Sequence, residues 1–315
     1  MVMLQKTTEE KRLNMRTISW GDMTWVDIID PTEDIKKYLL DNYKFHPLDL
    51  EDCFERRMMP KADEYQNYLF VVFQVPVYDK ATRISTPRQW EAFVGDKYLI
   101  TLHPGTVSAH DDLRRECEGN EDVKKEYLGN GSGYLLYRIL DRTLDVYFPV
   151  LDKIISLLDD LEDSVFDEEV EAAKEIGTLR RDIVTQRRVM VPGRAQLAEL
   201  EGKLKRFSKV DLSVYWGDLM DHMNKITETL DEYKEIIEVY KDADFVLSSY
   251  RANRAIRMLS VMMAVAIPFL FGAGIYWLYL STPGGVSWLV IVILVAAVAA
   301  VIGSILLFLK RKRLI

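Results

Sequence analysis

The chain of 315 residues has no Asp, Glu, Lys or Arg between Met258 and Leu309, although these residues make up 29% of its composition. A charge inside hydrocarbon is costly, so an uncharged run of this length is typical of a membrane segment. The run divides the chain into a charged part and an apolar part, and it favours an integral membrane protein.

Positive charge is scarce in the part that precedes this run. Residues 1–257 contain 37 basic and 49 acidic side chains, which gives a net charge of −12. A surface that binds nucleic acid needs clustered positive charge, so we expect no nucleic-acid partner.

Cysteine is also rare, and we expect no secretory signal. Cys53 and Cys117 cannot build a disulfide framework and lack the spacing of a zinc site, so we expect ordinary thiols in a reducing cytosol. Residues 1–14 are polar and charged, whereas a signal peptide needs an apolar core.

Catalytic motifs are absent as well. The sequence has no Gly-rich phosphate loop, no His-Glu-x-x-His motif and no nucleophile elbow. Its histidines are dispersed along the chain and suggest no triad or zinc set: His46, His103, His110 and His222. We therefore do not expect an enzyme.

The apolar run has the form of a hairpin. Residues 258–280 and 287–309 are each 23 residues long, enough for a helix to cross a hydrocarbon core of roughly 30 Å. Residues 281–286 between them contain Pro and paired Gly, which stop a helix and reverse the chain.

Basic residues flank the outer ends of both spans. Arg251, Arg254 and Arg257 precede the first span, and the tail 310–315 opens with four consecutive basic residues. By the positive-inside rule, both termini are expected to be cytoplasmic, in a cell or inner membrane.

Residues 1–132 favour a mixed α/β domain. Runs rich in β-branched and aromatic residues predict strands at 17–20, 24–29, 68–77, 90–94 and 98–102. Helix start signals and apolar periodicity predict short helices at 31–43 and 46–54.

Residues 133–207 predict an antiparallel pair of long helices. From Tyr134 onward Gly and Pro nearly vanish and apolar residues recur at helical spacing, which predicts one long helix with an acidic far end. A returning helix carries Arg180, Arg181, Arg187 and Arg188. These charges are expected mainly to face solvent, with pairing between the two helices as the alternative.

Residues 208–257, which we call the stalk, carry the clearest periodicity in the chain. Nine residues, the heptad stripe, are separated alternately by four and three positions: Leu212, Trp216, Leu219, Met223, Ile226, Leu230, Tyr233, Ile237 and Tyr240. This repeat indicates helices packed side by side. One helix is predicted from about Ser208 to Leu280, and copies of the same chain are the expected partners of the stripe.

Short motifs in a fixed order carry a family resemblance. They include Trp25-Val26-Asp27, Asp30-Pro31-Thr32, His46-Pro47-Leu48, Leu50-Glu51-Asp52, Leu136-Tyr137 to Asp141, Asp145 with Tyr147-Phe148-Pro149, and Ile267-Pro268 with Ala273-Gly274-Ile275-Tyr276. With these motifs and the apolar hairpin, the chain resembles the CorA family of divalent-cation channels, which are two-span homopentamers. The expected fold class is an α+β cytoplasmic domain with long helices, followed by a two-helix transmembrane hairpin, in a funnel-like pentamer.

The resemblance implies that the first span lines a central pore and that apolar rings close it by excluding water. The pore-facing positions implied by alignment on Pro268 are Asn253, Ile256, Leu259, Met263, Ile267, Leu270 and Gly274. Asn253 is then a polar ring at the cytoplasmic mouth, and the alternative is an ordinary amide on a helix surface.

The chain departs from the family at the outer mouth. Relatives carry Gly-Met-Asn directly after the equivalent of Tyr276, and its Asn ring is held to bind the hydrated ion. Here the three residues are Trp277, Leu278 and Tyr279, which are bulky and offer weaker acceptors than an amide. An aromatic belt at the membrane interface is the preferred reading, with a specialised ion-binding ring as the alternative.

Cytoplasmic acids provide a second candidate site. Five of them match positions where relatives bind regulatory divalent ions between subunits, and His222 accompanies them: Glu51, Asp52, Asp145, Asp218 and Asp221. Carboxylates from two chains repel each other unless a cation bridges them. Ordinary surface acids are the alternative.

The leading function is therefore a passive channel for Mg2+, with Co2+, Ni2+ or Zn2+ as further cations, and with the divalent ion as both substrate and regulator. The partners expected are the lipid membrane and further copies of the chain, as a homopentamer. The alternative is a CorA-like protein that does not conduct and serves as a membrane metal sensor or scaffold.

Overall fold

The computed structural model describes residues 14–54, 59–79, 81–82, 84–166, 172–281 and 287–311. Two compact units make up the chain, Met1–Lys241 and Asp242–Ile315. The expected outer loop and basic tail fall mostly outside the described residues, since 282–286 and 312–315 are not among them.

The first unit contains a six-stranded sheet. In chain order its strands are β1 (Met15–Trp20), β2 (Met23–Ile29), β3 (Lys61–Glu64), β4 (Tyr68–Asp79), β5 (Ile84–Gly95) and β6 (Tyr98–His103). Their order across the sheet is β1-β2-β6-β5-β4-β3. Only β2 and β6 run parallel, with Thr24 opposite Tyr98, and the other neighbours are antiparallel.

The five predicted strands are present, and β3 is a sixth that the pattern did not predict. Three of its four residues, Lys61, Asp63 and Glu64, are charged, as is typical of an edge strand, and β3 pairs with β4 alone. The strand expected at 90–94 begins earlier, at Ile84, and pairs with β4 along its whole length.

Two short helices cover one face of the sheet, α1 (Glu33–Asn42) and α2 (Pro47–Asp52). Ile35, Leu39 and Leu50 are fully buried and form one core cluster with inward-facing strand residues such as Phe70 and Phe93. Both helices match the predicted ones to within a few residues at each end.

Longer helices follow: α3 (Ser108–Gly119), α4 (Glu121–Gly129), α5 (Ser132–Asp145), α6 (Phe148–Phe166), α7 (Ala173–Leu204) and α8 (Ser213–Ser281). Helix α7 lies against the sheet, where Gln196 donates a hydrogen bond to the Val72 carbonyl at 2.8 Å. At Gly193 on the same helix, both Phe73 of the sheet and Met223 of α8 come within van der Waals distance of an added Cβ.

The single long helix expected from Tyr134 is wrong, because α5 ends at Asp145 and α6 begins at Phe148. Pro149 has no amide hydrogen and disfavours helical backbone in the residue before it. The carbonyl of Tyr147 instead accepts the first amide bonds of α6, from Val150 at 2.9 Å and Leu151 at 3.3 Å.

The predicted continuous helix exists as α8, and it begins at Ser213 rather than Ser208. The partner expected for the heptad stripe is wrong. All nine of its side chains are buried inside the first unit of a single chain. Tyr233 donates to the Leu151 carbonyl at 3.3 Å and Tyr240 to Glu162 at 2.9 Å, and both acceptors belong to α6. Trp216 donates to the Leu197 carbonyl of α7, so the stripe packs on α6 and α7 of its own chain rather than on copies.

The second unit contains the remainder of α8 and helix α9 (Trp288–Arg311). Among the described residues, α8 includes the one helical segment that is both long and apolar enough to cross a membrane, and its apolar window is not buried. A groove lined by Leu270, Phe271, Gly274 and Ile275 of α8 and Leu294 of α9 shows that the two helices lie side by side.

Candidate metal centre

A cluster of three potential metal ligands joins α5 to α8. Asp141 comes from α5, and Asp218 and His222 come from the stalk part of α8. One ligand atom from each residue lies within 4.8 Å of the other two. Two of these residues, Asp218 and His222, belong to the set that the sequence predicts.

Local helix geometry places these side chains together. Asp218 and His222 are four residues apart, so they project from the same flank of α8. The neighbouring Leu219 is fully buried and fixes the rotation of the helix. On α5, Leu140 and Leu144 are buried in the same way, which leaves Asp141 at the edge of the packed surface.

The electrostatics around Asp141 favour a bound cation. Partial burial raises the pKa of its carboxyl, the Arg138 guanidinium at 3.0 Å opposes the rise, and the carboxylates of Asp145 and Asp218 add to it. A cation would relieve the repulsion between these acids. Arg138 therefore neutralises only part of the negative charge around Asp141.

His222 offers an unused nitrogen to the cluster. Its Nε2 lies 4.0 Å from Oδ1 of Asp218, a contact too long for a hydrogen bond. Its Nδ1 is buried and has no hydrogen-bond partner among the described residues. Phe148 packs edge-to-face on the imidazole with ring centroids 5.5 Å apart and limits its movement.

The donor set suits a divalent cation. Two carboxylates provide charge and oxygen ligands, and imidazole adds a nitrogen that suits Zn2+, Ni2+ and related ions better than Mg2+. Three protein ligands leave further coordination positions for water or for groups of another subunit. The residues present therefore fit a metal ion.

The other predicted acids are placed differently. Asp145 lies one turn beyond Asp141 and acts on its pKa, while Asp221 is exposed beside the cluster; neither belongs to it. Glu51 is exposed on α2, and Asp52 accepts a 2.6 Å hydrogen bond from Lys61. Among the described residues of a single chain, no hydrogen bond or ion pair links Glu51 or Asp52 to Asp218.

Sequence reasoning missed Asp141 as a ligand, although it lies in one of the quoted motifs. The available signal was its position one turn before Asp145, on the same face of a predicted helix. Only the packing of α5 against α8 reveals that Asp141, and not Asp145, joins the cluster.

A second polar region lies at the ends of β2 and β6. Glu91 lines a cleft there of about 490 Å³ with Asp30 and His103. Burial raises the pKa of Glu91 to about 8, although the Gln89 amide, 2.6 Å away, and His103 oppose the rise. This buried acid is a second group that sequence reasoning missed.

Two of the histidines that are dispersed in the sequence meet in this region. His103 bonds to Oδ1 of Asp27 at 3.1 Å and to the carbonyl of Pro104 at 2.9 Å. His110 stacks on His103 with ring centroids 4.3 Å apart. The described residues here form no metal-ligand cluster, and Cys53 and Cys117 are buried thiols as expected.

The predicted pore positions all lie on the second unit's part of α8. All seven residues are exposed in the single chain: Asn253, Ile256, Leu259, Met263, Ile267, Leu270 and Gly274. Leu270 and Gly274 also line the groove shared with α9. At the predicted outer mouth Trp277 is 73% exposed, while the side chains of Leu278 and Tyr279 lie outside the described part.

Comparison with known proteins gives one family. The model of the family described as "CorA-like Mg2+ transporter protein" matches residues 20–312. YfjQ of Bacillus subtilis is 28% identical over 87% of this chain and 82% of its own length. The cobalt/magnesium transport protein CorA of Thermotoga maritima is 25% identical over 94% of this chain and 83% of its own.

A solved structure has the same fold. The complete structure of the CorA magnesium transporter from Methanocaldococcus jannaschii superposes with a TM-score of 0.69. The match has 20% sequence identity and covers 91% of this chain and 92% of the other. The soluble α/β part and the long helices therefore share one architecture.

Proposed function

Because the chain belongs to the CorA-like Mg2+ transporter family, we propose that it is a homopentameric channel that passes divalent cations across a membrane. Members of the family are integral membrane proteins and transporters rather than enzymes, in agreement with the sequence-based expectation. The carried ion is Mg2+, with Co2+, Ni2+ or Zn2+ as further candidates.

The observation that carries the proposal is the character of α8. Over the stalk this helix buries its heptad stripe within the chain, and from Met258 onward its apolar side chains lie exposed. Exposed apolar surface of this extent needs a lipid or protein environment. A membrane span at 258–280, paired with a second span at 287–309 through the outer loop 281–286, provides both.

Five copies of the first span would enclose the pore. The seven positions from Asn253 to Gly274 are uncharged, and their apolar rings would close the pore by excluding water. The polar Asn253 would provide the cytoplasmic entrance. With both termini cytoplasmic, the membrane potential would drive each positive charge inward by roughly 2.3 kcal/mol per 100 mV.

Regulation would come from metal bound to the cytoplasmic part. Asp141, Asp218 and His222 form a ligand cluster on one chain, and Glu51 and Asp52 would approach it from a neighbouring subunit. Asp145 and Asp221 add negative charge close by. When the ion leaves, the acids repel each other and the interface loosens, so cytoplasmic metal would keep the channel closed.

A second function, a non-conducting membrane metal sensor, is favoured by the outer mouth. Trp277 is 73% exposed at the position where the family motif would place Gly. A ring of indoles would narrow the entrance and offers no acceptor oxygen.

Ion uptake into liposomes tests both functions. The purified chain is reconstituted, and entry of Mg2+, Co2+, Ni2+ and Zn2+ is followed with a fluorescent indicator under an inside-negative potential. A channel gives uptake that rises with the potential, whereas the sensor gives none. Native mass spectrometry in mild detergent tests the pentamer, which would be refuted by monomers and dimers alone.

A further inference from the structure

Charge is distributed very unevenly along this chain. The last acidic residue is Asp244, and residues 245–315 contain seven basic side chains and no acidic one. Residues 1–244 contain 34 basic and 49 acidic side chains. The protein as a whole would be repelled by an anionic membrane, and only the segment next to the apolar run would be attracted to it.

The basic residues before the run share one face of α8. Arg251, Arg254 and Arg257 follow each other at intervals of three residues, so they cover about 120° of the helix circumference. Tyr250 lies within the same sector and is 54% exposed. We call these four residues the arginine face.

The arginine face points away from the proposed pore. At 100° per residue, the pore positions Asn253, Ile256 and Leu259 and those further along are centred on the side of the helix opposite the arginine face.

 The proposed cation pathway is therefore kept clear of fixed positive charge, because the guanidinium groups lie on the other side of α8. The arginine face ends at Arg257, directly before Met258, where the uncharged run begins.

The chemistry of the arginine face suits phosphate. Arg254 and Arg257 are exposed, and Arg251 is half-buried with its guanidinium 3.8 Å from Asp244. A guanidinium presents paired donors that match a phosphate group, and a tyrosine at a membrane boundary places its ring among the headgroups. The combination of arginines and tyrosine is suited to the headgroup layer rather than to hydrocarbon or bulk water.

We propose that the arginine face binds the phosphates of anionic phospholipids in the cytoplasmic leaflet. This inference rests on the proposed function in one respect, namely that α8 enters the membrane at Met258. It adds a partner, an anionic lipid headgroup, that would set the depth of the helix at the boundary and link its position to lipid composition.

Lipid retention by the intact protein tests the proposal. The full chain is purified in mild detergent with phosphatidylglycerol or phosphatidylcholine, and native mass spectrometry counts the lipids that remain bound. We expect roughly a tenfold preference for phosphatidylglycerol. High salt should reduce this preference because it screens the attraction. The triple variant Arg251→Gln, Arg254→Gln, Arg257→Gln should lose it.

Two controls separate charge from folding. The triple variant Arg251→Lys, Arg254→Lys, Arg257→Lys keeps the charge and should keep most of the preference. Lys225→Gln with Lys234→Gln removes charge upstream on the same helix and should change nothing. If the glutamine variant does not assemble, the salt dependence of the wild type and the lysine variant decide the question.

Equal retention of the two lipids by the wild type, or an unchanged preference in a folded glutamine variant, would overturn the proposal. Ion uptake in liposomes of phosphatidylcholine alone tests the channel function separately. Uptake there without selective lipid retention refutes the lipid site and leaves the channel standing. Selective retention without uptake in any lipid refutes the channel and leaves the lipid site standing.

Discussion

The indole Nε1 of Trp216 donates a hydrogen bond to the backbone carbonyl of Leu197 at 2.9 Å, and so ties the stalk to α7 of the same chain. Trp216 belongs to the heptad stripe and is almost completely buried. The repeat therefore stabilises each subunit by itself. In the proposed oligomer, contacts between subunits would use other surfaces of α8, such as the exposed apolar side chains of Phe245 and Val246.

A cavity in the stripe should destabilise the subunit without dissociating the oligomer. Ile226 is fully buried, so Ile226→Ala removes packed methylene groups and should cost about 2–5 kcal/mol of unfolding free energy. Denaturant unfolding in detergent measures this loss, and size-exclusion chromatography follows the number of subunits.

Val239→Ala is the matched control, because Val239 lies on the same helix and is 63% exposed. It should change the unfolding free energy by no more than about 0.5 kcal/mol. If Ile226→Ala instead released stable monomers with unchanged unfolding, the stripe would be a contact between subunits.

The fold was predictable wherever the sequence pattern reflects which residues are buried. Runs of β-branched and aromatic residues at 24–29, 68–77 and 98–102 predicted strands, and the structure has β2, β4 and β6 there. The edge strand β3 was not predictable in this way, because its partly exposed polar residues carry no apolar signal.

Packing partners were the part that the sequence could not provide. A heptad repeat indicates that one helix packs on another, but it does not show whether the partner helix belongs to the same chain. The heptad stripe, which includes Leu219 and Ile226, is buried within its own chain. The same holds for the metal cluster. The family resemblance pointed to Asp218 and His222, whereas Asp141 joins them only because α5 packs against α8.

The metal cluster should prefer metal ions that bind nitrogen ligands well. Because His222 adds an imidazole to Asp141 and Asp218, Zn2+ or Co2+ should raise the melting temperature more than Mg2+ at equal concentration. Saturation at 100 times Kd contributes about 2.7 kcal/mol to stability. His222→Ala should abolish the advantage of Zn2+ and Co2+, and Asp141→Asn should weaken stabilisation by all three ions.

Asp221→Asn is the control for these variants, since Asp221 is exposed beside His222 but outside the cluster. It should leave the melting shifts of the wild type in place. Identical shifts in the wild type, His222→Ala and Asp141→Asn would show that the three residues bind no regulatory ion.

Stability should fall as pH rises through neutrality, because of Glu91. Its carboxyl titrates near pH 8 in the folded chain against an ordinary value of 4.5, so the folded state holds an extra proton between these values. The unfolding free energy therefore decreases as pH rises from about 4.5 to about 8. Each unit of the pKa difference is equivalent to about 1.4 kcal/mol.

Glu91→Gln removes this titration and keeps an acceptor for the Gln89 amide. The variant should resemble the wild type at pH 5 and melt at a higher temperature at pH 8, which thermal unfolding across this range will measure. Glu235→Gln, an exposed acid on α8, serves as the control. A pH slope that Glu91→Gln leaves unchanged would place its origin elsewhere.

The outer mouth separates the two proposed functions. If the entrance must offer amide oxygens to a hydrated ion, then Trp277→Gly, Leu278→Met and Tyr279→Asn together should raise Mg2+ uptake in liposomes. The replacement adds an acceptor and removes bulk. Trp277→Gly alone removes bulk without adding an acceptor, so it should raise uptake less.

The rate of the unaltered chain decides how the triple variant is interpreted. If wild-type uptake of Mg2+ already equals that of the triple variant, selection does not depend on the outer ring and must lie deeper, at Gly274 or Asn253. If neither protein conducts any cation, the sensor is the better account. The exposed apolar positions Ile256, Met263 and Ile267 then form a permanent seal, because five copies of each would exclude water whatever the outer mouth offers.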